Sequence, residues 1–128
     1  MNRILIAEDE SRVAAFIAKG LQKNNFTTVV AEDGQQALEV VTSETVDLVL
    51  LDLGMPIKNG WEVLDELHQR GLKLPVIIIT AYDDEQNKVL AIQKGASDYL
   101  TKPFQFKELL TKVRSHLWSF ASPQLPNS

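Results

Sequence analysis

The sequence predicts an α/β domain whose parallel sheet is covered by helices on both faces, and three observations predict it. Apolar runs alternate with amphipathic stretches, five of each, as repeated strand–helix units require. The 128 residues fit one domain with a real core, whereas two domains would each lie near the lower limit of independent stability. Polar residues close the apolar runs: Glu8 and Asp9 the first, Asp52 the third, Thr80 the fourth, with Lys102 just after the fifth. In parallel strands those ends converge at the carboxyl edge of the sheet, where open α/β sheets bind ligands.

The first strand covers residues 3–7, and Ser11 then caps a helix carrying Val13, Phe16, Ile17 and Leu21 on one face. Residues 26–31 form the second strand. Asp33 caps the next helix, with Gln36 three residues on in capping-box spacing. The third strand, 48–51, leads through Asp52 to a helix over residues 61–70 that closes at Gly71. After strand 76–79, a helix from Asp84 to Lys94 ends at Gly95, a suitable left-handed residue beyond a helix end. The short acidic run 83–85 starts that helix favourably with its dipole. Strand 99–101 precedes the clearest helical period, in which Phe106, Leu109, Leu110, Val113 and Leu117 share one face. The domain therefore spans residues 1–121. Residues 122–128, with two prolines and almost nothing to bury, read as a flexible tail or the start of a linker.

Composition narrows the function. A net charge of −4 argues against a nucleic-acid groove in this chain, because phosphate binding needs clustered Lys and Arg. Protein partners or small cations are the expectation. With no cysteine, disulfides and thiolate metal sites are excluded. The opening residues turn acidic too soon for a signal peptide and no apolar stretch reaches spanning length, so a cytoplasmic protein without membrane contact is expected. Neither GxGxxG nor a Walker A motif is present to cradle a nucleotide. His68 and His116 sit at polar helix positions and read as solvated rather than as ligands.

Carboxylates brought together at the sheet edge repel one another unless a cation neutralises them. A hard divalent ion suits an oxygen-only set, and Mg²⁺ suits it better than Ca²⁺ because few ligands are on offer. Taken singly, Asp9 reads as a capping residue, Glu8 and Lys102 as surface charges, Asp52 as the start of a turn before Met55-Pro56, and Thr80 as an ordinary strand residue. Taken jointly, four strand ends carry complementary chemistry.

These residues resemble the receiver domain of two-component response regulators. The resemblance runs from Arg3 to Leu117 through Glu8-Asp9, Asp52 with Met55-Pro56 and Gly60, Thr80-Ala81, and the segment GASDYLTKPF that holds Lys102. It implies a flavodoxin-like (βα)5 fold with strand order 2-1-3-4-5. It also implies that Asp52 takes a phosphoryl group from a phosphohistidine on a sensor histidine kinase or phosphotransfer protein. In that reading Asp9, Asp52 and the backbone carbonyl of Gly54 bind Mg²⁺ directly and Glu8 does so through water. Lys102, the Thr80 hydroxyl and the Ala81 backbone N–H supply countercharge and donors. In the same reading the Lys102-Pro103 bond is cis and Thr80 and Tyr99 form the switch pair; apart from the resemblance, a glycine at 60 suits a turn at positive φ closing the loop behind Asp52. The protein would be no enzyme on a separate substrate, catalysing only its own phosphorylation and dephosphorylation.

The resemblance narrows towards receivers of winged-helix transcription factors, which dimerise on phosphorylation through the fourth helix, fifth strand and fifth helix. Lys88 with Glu108 and Asp98 with Lys112 match charge pairs of that face, and Val89, Ile92 and Leu110 match its apolar patch. Ser97 stands where Arg114 would expect an acidic partner. Output would pass to a DNA-binding domain outside this chain. Two other readings remain open: a stand-alone receiver or non-phosphorylated pseudo-receiver that only binds partners, and a flavin or nucleotide carrier, whose cofactor phosphate the acidic first loop would repel.

Overall fold

The computed structural model describes residues 2–82 and 84–121. Along the chain run β1 (Arg3–Ala7), α1 (Ser11–Lys23), β2 (Thr27–Ala31), α2 (Gly34–Ser43), β3 (Leu48–Asp52), α3 (Gly60–Gln69), β4 (Val76–Thr80), α4 (Glu85–Gln93), β5 (Asp98–Thr101) and α5 (Phe106–Ala121). The strands form one parallel sheet in the order β2-β1-β3-β4-β5, the flavodoxin-like topology. The expected tail beyond residue 121 lies outside the described residues.

Because side chains alternate across a strand, the sheet divides its apolar residues between two cores. Leu5, Ala7, Val49, Leu51 and Ile78 face Leu38 of α2 and Val63, Leu64 and Leu67 of α3. Ile4, Ile6, Leu48, Leu50, Ile77 and Ile79 face Ile17 and Leu21 of α1 and Leu109, Val113 and Leu117 of α5. Every residue of β3 and β4 is buried. Each fully buried Leu or Ile contributes about 1.5–3 kcal/mol, so these two strands anchor the fold, and their carboxyl ends are fixed in place.

The capping residues show where local signals decided and where they did not. Asp33 caps α2 as expected, accepting from the Gln36 N–H at 2.8 Å, while Gln36 accepts from the N–H of Glu32, one residue before the cap. Ser11 is not a cap. It is the first helical residue of α1, and Glu10 holds the cap position with no side-chain bond to the helix. Asn59 and Glu62 form a complete capping box at the start of α3. Phe26 precedes β2 and packs into the α1–α5 layer. Gly95 does adopt the left-handed conformation after α4, with φ +109°.

Gly60 corrects another expectation. Its φ is not positive; the residue at positive φ in this loop is Ile57, at 66°. Glycine is required at 60 for closeness: a Cβ there would stand 2.5 Å from the Asp52 carbonyl oxygen. Gly34, opening α2, is pressed in the same way against the carbonyl of Lys58. The loop that follows Asp52 is thus abutted by backbone from two sides.

Candidate functional site

The carboxyl ends of β1, β3 and β4 and the segment after β5 deliver the charged residues to one cleft of about 330 Å³. Glu8 follows β1 and is buried, its backbone N–H bonded to the Ala31 carbonyl at 3.0 Å. Asp9, next in the chain, is exposed. Asp52 is the last residue of β3 and 6% exposed, and Thr80 is the last of β4 and 1% exposed. Carboxylate oxygens of Glu8, Asp9 and Asp52 come within 4.8 Å of one another.

Lys102 enters from the end of β5, where its N–H donates to the Thr80 carbonyl at 2.7 Å and its bond to Pro103 is cis. Its ammonium lies 2.8 Å from Glu8 Oε1, 3.2 Å from Glu10 Oε1 and 3.4 Å from Asp52 Oδ2. Burial alone would lower the Lys102 pKa, but Glu8, Asp52 and Glu10 outweigh it and hold the amine above its ordinary range. Burial pushes the Glu8 carboxyl up, and the neighbouring Asp52 charge adds to this; Lys102 and the Glu10 N–H pull the other way. Glu10 escaped the sequence reading, although a third acid directly after Glu8-Asp9 was the available signal.

Around Asp52 the polar contacts are short and local. The Gly54 N–H donates to Asp52 Oδ1 at 3.2 Å. Thr80 Oγ1 accepts from the Tyr82 N–H at 3.3 Å, and the Tyr99 hydroxyl donates to the Tyr82 carbonyl at 2.7 Å. Tyr82 therefore joins the two expected switch residues through its backbone. Ala81 lines the cleft beside it.

The donor set fits a hard divalent cation. All its side-chain ligands are oxygens, Asp9 faces water, and buried Glu8 Oε1, though at ion-pair distance from Lys102, accepts no aligned hydrogen bond. A buried carboxylate oxygen in that state is where a cation or its water shell is favoured.

On the face formed by α4, β5 and α5, Val89 and Ile92 are 45% and 50% exposed, Glu108 is exposed, and Lys88 and Leu110 are half-buried. Leu90 adds a further exposed apolar side chain. Asp98 and Lys112 pair within the chain, at 3.2 Å. His116 is not simply solvated: half-buried, it lies 3.0 Å from Asp98 Oδ2. Although burial works against it, the Asp98 carboxyl is held below its usual range by His116, the Tyr99 N–H and Lys112. No described helix is long and apolar enough to cross a membrane.

Comparison with known proteins gives a consistent result. The family described as response regulator receiver domain matches residues 4–114. The response regulator ArlR of Staphylococcus saprophyticus is 43% identical over 91% of this chain and 53% of its own length. The transcriptional regulatory protein CpxR of Escherichia coli K12 is 40% identical over 91% of this chain and 50% of its own. The chain thus spans about half the length of these curated relatives. Among solved structures, the Thermotoga maritima response regulator TrrA in complex with Mg²⁺-BeF superposes with a TM-score of 0.81 at 34% identity, covering 90% of this chain and 98% of its own.

Proposed function

The chain belongs to the response regulator receiver domain family, and on that premise we propose that Asp52 accepts a phosphoryl group from a phosphohistidine of a sensor kinase or phosphotransfer protein. A carboxylate oxygen of Asp52 attacks phosphorus, the P–N bond breaks, and the departing imidazole keeps the electron pair and takes up a proton. Such a transfer depends on alignment and countercharge more than on covalent assistance from the protein. Lys102, at 3.4 Å from Asp52 Oδ2 in a cleft that buried Thr80 also lines, is the observation that carries this reading.

Bound Mg²⁺ would neutralise charge on the phosphoryl oxygens, held by Asp9, Asp52 and the Gly54 carbonyl, with Glu8 acting through water. The Thr80 hydroxyl and the Ala81 N–H complete the donors. Tyr99 and Thr80 then report the modification, supported by their shared contact with Tyr82. Output runs through a phosphorylation-dependent homodimer using Lys88, Val89, Ile92, Asp98, Glu108, Leu110 and Lys112. Transcription control would follow through a DNA-binding domain outside this chain, the receiver ending near residue 121 and residues 122–128 forming a tail or the start of a linker. The names and greater length of the relatives support this. The protein works in the cytoplasm, touches neither DNA nor membrane itself, and turns over no substrate other than its own aspartyl phosphate.

Mass spectrometry after incubation with acetyl phosphate and Mg²⁺ tests the reading. One phosphoryl mass is expected on the wild type and none on Asp52→Asn, which keeps the shape but not the nucleophile. Labelling of that variant at the wild-type level moves the acceptor elsewhere, and an unmodified wild type favours a pseudo-receiver.

A further inference from the structure

A lysine ammonium has three donors, and three carboxylate oxygens surround that of Lys102: Glu8 Oε1 at 2.8 Å, Glu10 Oε1 at 3.2 Å and Asp52 Oδ2 at 3.4 Å. Glu10 Oε1 and Asp52 Oδ2 accept hydrogen bonds from it, so a phosphoryl oxygen arriving at Asp52 competes with these carboxylates for the ammonium. The three differ in what their release costs. Glu8 has no exposed side-chain surface, so parting it from the lysine leaves a buried charge unpaired. Asp52 carries the phosphoryl group itself. The Glu10 side chain is 62% exposed, so water replaces the lysine at once.

A second observation points the same way. Glu10 occupies the N-cap of α1, and its side chain makes no bond to the helix. Its carboxylate turns outward to Lys102 instead.

We propose that Glu10 is a positioning residue. Its carboxylate stands on Lys102 where a phosphoryl oxygen will stand, holds the ammonium in the cleft beforehand, and yields when the phosphoryl group arrives. This role rests on the phosphoacceptor reading. Until it yields, Glu10 competes with the incoming group, so it sets how readily the modified state forms.

Calorimetric titration with beryllofluoride at saturating Mg²⁺ tests this in the intact chain. Glu10→Gln removes the charge with little change of shape and should bind the mimic about two- to fivefold tighter, the range expected of an exposed ion pair. In a Lys102→Ala background the same substitution should give no gain, because Glu10 acts through that lysine. A purely structural role would alter the melting temperature and leave the affinity alone. Equal or weaker binding by Glu10→Gln overturns the proposal, as does a gain that persists undiminished without Lys102. A wild type that ignores the mimic removes the phosphoacceptor reading beneath it.

Discussion

The interior of β3 and its last residue obey opposite rules, though they are neighbours in the chain. Leu48, Val49, Leu50 and Leu51 are fully buried among apolar side chains, and each stabilises the fold by leaving water. Asp52, in the same strand and 6% exposed, is buried beside Glu8 with Glu10 and Asp9 close by. One lysine serves three of these carboxylates. Burial near like charge is tolerated here because the surrounding strands over-determine the position. The strand interior supplies the stability that its tip uses.

The largest test of this contrast is Leu50→Ala. Thermal or denaturant unfolding should show a loss of about 2–5 kcal/mol, the usual range for emptying a packed leucine site. The Mg²⁺-dependent part of the stability should not change. A loss below 1 kcal/mol would mean that the α1–α5 layer is less tightly packed than its burial indicates.

Asp52→Ala should have the opposite sign. Removing one of the clustered charges is expected to raise the metal-free stability by about 1 kcal/mol. It should also abolish most of the gain that Mg²⁺ gives the wild type, a gain that grows as RT ln(1 + [L]/Kd). A clear drop in metal-free melting temperature would show that the contacts of Asp52 with Lys102 and the Gly54 N–H outweigh the repulsion.

Asp98 sharpens the comparison with a smaller effect, since it is a carboxylate paired in a favourable sense. Its folded pKa is lowered, so its contribution to stability is full above the unfolded value of about 3.9 and is lost as pH falls through the lower folded value. Asp98→Asn should therefore be less stable than the wild type at neutral pH, by under about 1 kcal/mol because the site is open to water. That difference should begin to close below about pH 4 and vanish once pH has fallen below the folded value. A difference that stays constant between acid and neutral pH would mean that packing, not charge, holds Asp98.

How much of this could be read beforehand depended on whether a residue answers to its neighbours in sequence or in space. The five strands, the Asp33 cap and the left-handed Gly95 follow from local pattern, and they agree with the structure. Glu8, Asp9, Asp52, Thr80 and Lys102 converge because parallel strands all point one way. Ser11 suits a cap by local preference, but it is the first residue of the helix, with Glu10 at the cap position and the Glu10 carboxylate on Lys102, far off in sequence. Gly60 looked like a turn glycine, whereas its requirement comes from the approach of the Asp52 carbonyl. The pairing of His116 with Asp98 crosses 18 residues between α5 and β5, and no periodicity encodes it.

The two loops flanking Asp52 are fastened by different means, one by close packing of backbone and the other by hydrogen bonds. On the β3–α3 side, Gly34 against the Lys58 carbonyl and Gly60 against the Asp52 carbonyl leave no room for even a methyl group. On the β4–α4 side, the Thr80 and Tyr99 hydroxyls hold the Tyr82 backbone by hydrogen bonds at 3.3 and 2.7 Å, which can break and re-form without a clash. If Asp52 takes a phosphoryl group as proposed, the first wall would serve as stator and the second as rotor.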